Sequence, residues 1–237
     1  MTIESKLPGV GTTIFTIMSQ MASDHGAINL SQGFPDFSPP EKLLAMFEKY
    51  LHGGYNQYPP MSGVPYLREQ ISLKLRRLYQ ADLDPDTNIT VTSGATESLF
   101  VAIQTVVKSG DEVIVFDPAY DSYEPAITLA GGQTIHVPMT APEFHLDFDR
   151  LTDLLNDKTR LIILNSPHNP RGSIISALDL EKLAELTRPY DLYLLSDEVY
   201  EHMVYDGATH HSLLTHEELR SRSFVVSSFG KTYHATG

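Results

Sequence analysis

Lys231 stands among small and hydroxyl-bearing residues in Ser227-Ser228-Phe229-Gly230-Lys231-Thr232, at the end of the apolar run Phe224–Ser227. A lysine amine in such a place is a nucleophile toward a carbonyl and, once free again, a carrier of protons. Asp197 and Tyr200 follow a second run, Leu192–Leu195, within Ser196-Asp197-Glu198-Val199-Tyr200-Glu201-His202. Their spacing of three predicts a helical turn that brings carboxylate and phenol onto one face. A helix-capping Asp is the plainer alternative. Asn169 lies in Asn165-Ser166-Pro167-His168-Asn169-Pro170-Arg171-Gly172, where two prolines and a glycine impose a rigid turn that can present a side-chain donor. Tyr120 closes Asp117-Pro118-Ala119-Tyr120 and offers a ring to stack on a planar ligand, although a core or surface tyrosine is commoner. Ser93-Gly94-Ala95-Thr96-Glu97 is a small-residue turn into a helix, whose free amides suit a phosphate or simply start a helix.

Two rival motifs fail. Gly230-Lys231-Thr232 ends like a phosphate-binding P-loop, but that pattern needs glycine where Val225 stands. None of the 10 histidines forms H-E-x-x-H, and Glu198 with His202 offers two metal ligands at most, so no metal site is expected. Taken together, the remaining residues meet one chemical need. A lysine for a Schiff base, an aspartate to keep a pyridine nitrogen protonated, phenol and amide donors to a ring hydroxyl, a stacking ring and a phosphate cup define a pyridoxal phosphate site. Asp197 would keep the ring cationic and so able to accept electrons. Lys231 would hold the cofactor and then move the substrate's proton.

The elements that must position these residues are legible as periodicity. Short apolar runs recur at Ile89–Thr92, Val113–Phe116, Thr134–Val137, Leu161–Leu164, Leu192–Leu195 and Phe224–Ser227. They read as strands covered on both faces. Amphipathic stretches at Thr96–Lys108, Ser122–Ala130, Phe148–Asn156 and Leu178–Arg188 lie between them. Strands alternating with helices predict a mostly parallel α/β sheet, and ligands of such sheets bind beyond the carboxyl ends of the strands. All the residues singled out above follow such an end. Earlier in the chain, Glu41–Leu51 and Val64–Tyr79 read as helices, the second with Leu67, Ile71, Leu75 and Leu78 at helical spacing. The turn-rich SQGFPDFSPP and GGYNQYPPMSG around them read as a surface arm or as loops lining a site.

Composition excludes more than it selects. With 237 residues, one large or two small domains are open. A net charge of −13 argues against nucleic acid or an anionic membrane as the main partner. The absence of cysteine excludes disulfides and thiolate metal sites. The opening MTIESKLPGVGTTIF has no secretory pattern and no apolar run is long enough to span a bilayer, so a cytoplasmic location is expected.

The order GATES, DPAYDSY, NSPHNPRG, SDEVYEH and SSFGKTYHATG resembles the fold-type I, class I/II pyridoxal phosphate aminotransferases across nearly the whole chain. LSQGFPDF and YNQYPPMSGVPYLRE resemble the branch that acts on methionine, glutamine, aromatic amino acids and kynurenine. The resemblance implies a three-layer α/β/α large domain with a mostly parallel sheet. It also implies transfer of an amino group from an amino acid to a 2-oxo acid through pyridoxal 5′-phosphate. By the same resemblance Lys231 is the Schiff-base lysine, Asp197 pairs the pyridine nitrogen, and Tyr200 and Asn169 hydrogen-bond the ring oxygen. Tyr120 is the stacking aromatic, and Ala95, Thr96 and Ser228 match phosphate-binding positions. Tyr58 matches a tyrosine that reaches the phosphate of a neighbouring subunit, which implies a homodimer. Gly33 matches a backbone contact to the substrate carboxylate, and Phe15 falls where the family lines its substrate pocket. Arg171 departs from the small residue or threonine usual after Asn-Pro.

The resemblance also implies a domain plan and its shortfall. Residues 1–85 form an N-terminal arm of helices and active-site loops, and 86–237 an incomplete cofactor-binding large domain. Family members continue beyond the glycine that matches Gly237. They add an antiparallel strand beside the first strand, a basic residue near the phosphate, and a C-terminal small domain carrying the arginine that grips the substrate carboxylate. The chain is therefore expected to be truncated at its C-terminus, without the small domain and with two unpaired strand edges. Two other functions share the motifs: carbon–sulfur β-elimination on cysteine conjugates, and an inactive fragment.

Overall fold

Side chains alternate between the faces of a strand, so EVIVFD and TRLIILN, apolar on both faces, need cover on both sides. The computed structural model, which describes residues 4–33 and 35–236, supplies that cover with helices. Phe34 of the LSQGFPDF stretch, Gly237 and residues 1–3 of the opening segment lie outside the described residues.

Strands β1 (Glu112–Asp117), β2 (Gln133–Pro138), β3 (Thr159–Asn165), β4 (Tyr193–Asp197) and β5 (Ser223–Val226) form a five-stranded sheet in the order β2-β1-β3-β4-β5. Every neighbouring pair is parallel. On one face Val113, Val115, Leu161, Ile163 and Leu195 pack against α4 (Ala95–Val106) and α5 (Tyr123–Ala130). On the other, Ile114, Ile162, Leu164 and Leu194 meet α6 (Phe148–Leu154), α7 (Ala177–Thr187) and α8 (Glu217–Arg220). The result is the expected α/β/α sandwich. Burying each of these side chains contributes about 1.5–3 kcal/mol before chain entropy is counted. A capping box, in which Ser176 and Asp179 satisfy each other's amides, starts α7. Among the described residues no helix is long and apolar enough to cross a membrane.

One expected strand is absent. Ile89–Thr92 has no strand neighbour among the described residues, and a strand exists only through pairing. Its Val91 amide donates instead to the Ser62 carbonyl (3.0 Å), and Gly63, at φ +101°, fits against the Val91 side chain where a Cβ would collide at 2.8 Å. The sheet therefore ends at β5.

The arm before the sheet comprises α1 (Ile14–Asp24), which the sequence reading did not foresee, α2 (Glu41–His52) and α3 (Pro65–Tyr79). Neither α1 nor α2 has a buried residue. On α3 the most buried residues are Arg68 and Ser72; of the apolar stripe, Leu67, Ile71 and Leu75 are half-buried and Leu78 is exposed. Polar anchoring explains the burial of these two. Arg68 donates to the Gly63 and Pro85 carbonyls and pairs with Asp86, while Ser72 Oγ donates to the Leu83 carbonyl at 2.6 Å.

Candidate active site

Because all five strands run the same way, their carboxyl ends share one edge, and β4 ends on Asp197 itself. Asp197 is 4% exposed. Its backbone is held by both neighbours, opposite Asn165 in β3 and Val226 in β5. Its Oδ2 accepts the Tyr123 hydroxyl at 2.6 Å, and its Oδ1 accepts the Val199 amide at a longer 3.3 Å. Burial pushes the Asp197 carboxyl up; Tyr123, the Val199 amide and the Lys231 charge pull the other way. The Asp–Tyr pair expected to meet through a helical turn does so through tight turns instead. Glu201 N–H bonds the Glu198 carbonyl (2.9 Å) and Met203 N–H that of Tyr200 (2.7 Å). Burial, then the Asp197 charge, raises the Tyr200 phenol above its ordinary value.

β5 leads into α9 (Phe229–Tyr233), a single turn capped by Ser228, whose Oγ accepts the Lys231 amide at 3.3 Å. Five residues are too few for periodicity to announce. The exposed Lys231 places its Nζ 5.6 Å from the centre of the Tyr200 ring. Tyr200, Tyr120 and Ala95 all pack against the core cluster on the α4–α5 face. Gly94, at φ +88°, turns the chain into α4, and the amides of Ala95 and Thr96 open the helix with no side-chain cap at its start. Asn169 is joined to the group through Asn165: the Asn169 amide donates to Asn165 Oδ1 (2.7 Å), and Asn165 Nδ2 donates to the Asp197 carbonyl (2.9 Å).

Lys231, Asp197, Tyr200 and Tyr120 are thus gathered at one edge, with Ala95, Thr96, Ser228 and Asn169 on the turns around them. Tyr58, Gly33 and Phe15 are not joined to this group by any hydrogen bond or ring contact among the described residues. Tyr58 is fully exposed, Gly33 is exposed, and Phe15 is half-buried on α1. The arm does reach α9, since His234 bonds the Phe37 carbonyl at 2.6 Å and meets the Phe37 ring edge-on.

Residues outside the initial set also hold this edge. Tyr123, within the DPAYDSY stretch and three residues after Tyr120, is 2% exposed; burial and then Asp197 push its phenol well up, so it is the donor. The spacing of the two tyrosines was the available signal. His168 is buried, which lowers its pKa, and its Nδ1 accepts the Arg171 amide at 3.4 Å within the Asn169 turn. Glu201, 3% exposed, takes Lys74 (2.7 Å) and Tyr79 (2.5 Å) from α3. Glu198, raised above as a metal ligand, is spent on Ser196, His210 and the Leu213 amide. Arg171, the departure from the family pattern, lies 4.0 Å over the Phe144 ring.

The donor set fits pyridoxal phosphate. A buried carboxylate with spare capacity on Oδ1, a lysine amine, aromatic rings and uncapped helix amides are what its ring nitrogen, aldehyde, ring face and phosphate each require.

A family model described as "Aminotransferase class I and II" matches residues 25–237. Over 234 residues the chain is 50% identical to methionine aminotransferase of Escherichia coli (strain K12), covering 99% of this chain and 61% of that protein. It is 35% identical over 245 residues to kynurenine–oxoglutarate transaminase 1 of Rattus norvegicus, covering 98% of this chain and 58% of the relative. The fold matches the crystal structure of YbdL from Escherichia coli, reported with a methionine aminotransferase function, at a TM-score of 0.95 and 48% identity. That match covers 100% of this chain and 62% of the other. The chain therefore spans about three-fifths of the relatives' length.

Proposed function

The chain belongs to the class I and II aminotransferases, and from that premise we propose that it binds pyridoxal 5′-phosphate at the strand ends and serves transfer of an amino group from an amino acid to a 2-oxo acid. The observation that carries the proposal is the placing of Lys231 beside Tyr200, with the buried Asp197, at the carboxyl ends of two adjacent strands. When bound, the cofactor supplies a carbonyl for amines and an electron-poor ring that takes up the charge left when a substrate Cα loses its proton.

This chain's residues have separate tasks. Asp197 holds the proton on the ring nitrogen, Asn169 and Tyr200 hydrogen-bond the ring oxygen, and Tyr120 covers the ring face. Ala95, Thr96 and Ser228 receive the phosphate. Lys231 would hold the cofactor through its amine, and the same amine, when free, would be the base placed to move a substrate Cα proton. Gly33 and Phe15 would contact substrate. Tyr58, fully exposed and without a described partner in its own chain, would reach the phosphate of a second subunit, making a homodimer. Residues 1–85 are read as the arm that brings these three, and 86–237 as the cofactor-binding domain. The relatives named for methionine and kynurenine support a methionine-like or aromatic donor.

The test follows the nitrogen. Protein with cofactor, ¹⁵N-methionine and 2-oxoglutarate is expected to give ¹⁵N-glutamate by mass spectrometry, and the Lys231→Ala variant none. Ammonia and pyruvate released from a cysteine conjugate without any oxo acid would instead identify a β-lyase. No labelled product from the wild-type chain, or equal product from the variant, contradicts the assignment.

A further inference from the structure

We infer that Tyr123 is a positioning residue for Asp197, one that fixes which carboxylate oxygen meets the cofactor's ring nitrogen; this rests on the cofactor reading above. The hydroxyl donates to Oδ2 at 2.6 Å, within the range of a short bond to a charged acceptor. The ring that carries it cannot drift. It is 2% exposed and belongs to the α4–α5 core cluster with Leu99, Ile103 and Ile127, and Tyr120 meets it edge-on at 5.7 Å. Asp197 has little freedom either, since its backbone is paired on both sides.

With Oδ2 committed, Oδ1 has, among the described residues, only the Val199 amide at 3.3 Å and is the oxygen with room for a strong donor. A protonated ring nitrogen is such a donor. Tyr123 then acts in two ways without touching the cofactor. It holds the carboxylate's rotation, so that Oδ1 stays available to the ring. It also gives the buried carboxylate a permanent donor, so that the group stays ionised in a dry site where an unpartnered charge is unfavourable. The charged and titratable groups around the pair are Lys231, Glu198, Tyr120 and Tyr200, and Lys231 alone among them favours the anion.

The test compares two cofactors by equilibrium binding. One is pyridoxal phosphate and the other its 1-deaza analogue, in which carbon replaces the ring nitrogen and no N–H faces Asp197. Wild-type protein must first bind pyridoxal phosphate; if it does not, the cofactor reading fails and this inference with it. Tyr123→Phe keeps the ring and its packing and removes only the hydroxyl. The variant is expected to bind pyridoxal phosphate on the order of tenfold more weakly, the scale of one lost hydrogen bond to a charged group, and the deaza analogue unchanged. Equal losses for both cofactors, or no loss for either, overturn the inference while leaving the cofactor reading intact. If Tyr123→Phe melts below the assay temperature, Tyr123→Phe with Asp197→Asn removes hydroxyl and charge together. That double variant is expected to recover the fold and to bind both cofactors alike; failure to recover overturns the inference.

Discussion

Glu201 lies against the site yet faces away from its chemistry, and its charge is set by competition. Burial at 3% exposure raises a carboxyl's pKa, but the hydrogen bonds from Lys74 and Tyr79 and the Lys74 charge outweigh it, and the group ends below its ordinary value. A carboxyl depressed in the folded state contributes stability above its unfolded pKa and loses it as pH falls through the folded value. Lys74→Met reverses the sign: Glu201 is left buried without its cation and its folded pKa rises. The variant is expected to lose roughly 2–3 kcal/mol at pH 7, because the partner of a buried charge has gone. The gap from wild type should narrow as pH falls through the variant's raised folded pKa, where its Glu201 takes up a proton, while wild-type Glu201, held below its ordinary value, stays ionised down to about 4.5. Thermal melts across pH 4.5–8 read this directly, and a gap independent of pH contradicts it. The pairing of Lys74 with Glu201 crosses 127 residues of sequence, and no local spacing announces it. Lys231, Asp197, Tyr200 and Asn169 were legible for the opposite reason, because each sits within a few residues of an apolar run's end. Tyr58, Gly33 and Phe15 entered through resemblance alone, and among the described residues no hydrogen bond or ring contact ties them to the strand ends.

At the scale of elements, continuous apolar runs buried on both faces made β1, β3 and β4 readable, whereas pairing decided Ile89–Thr92. Apolar residues recommend a segment for a strand, but backbone partners make it one. Here the partner is the Met61–Gly63 turn, with Gly63 as its hinge. At φ +101° a side chain is strained, and a Cβ would lie 2.8 Å from both Cβ and Cγ2 of Val91. Gly63→Ala is expected to destabilise by about 2–4 kcal/mol, combining backbone strain with a clash against a branched side chain. Gly172→Ala is the control. It shares a positive φ, +73°, but has open space around the added atom, so it should cost about 1 kcal/mol, the backbone part alone. Denaturant melts of the two variants separate the contributions, and equal losses would show that the approach to Val91 carries no weight. The helix expected over Val64–Tyr79 forms as α3, but its spacing does not announce which residues are most buried. Leu67, Ile71, Leu75 and Leu78 form a proper helical stripe, yet Arg68 and Ser72 find carbonyl partners and become the buried ones.

For the whole molecule, the two halves of the chain are differently finished. The sheet has cover on both faces, while the arm exposes Ile28 (85%), Leu30 (91%), Tyr58 (100%) and Met61 (101%). The chain spans 61% of the Escherichia coli methionine aminotransferase it resembles, and the exposed residues are where the proposed second subunit and substrate contacts fall. The groups proposed to hold the cofactor stand apart from these, because Asp197, Tyr123, Tyr200 and Lys231 are positioned by the sheet and its own helices. The central claim is therefore that this chain carries a working cofactor-attachment site. Adding pyridoxal phosphate, reducing with borohydride and mapping peptides by mass spectrometry tests it most directly. The expected result is one phosphopyridoxyl group, on Lys231, lost in Lys231→Ala. A label spread over surface lysines such as Lys49 and Lys182, or no label, would contradict the account.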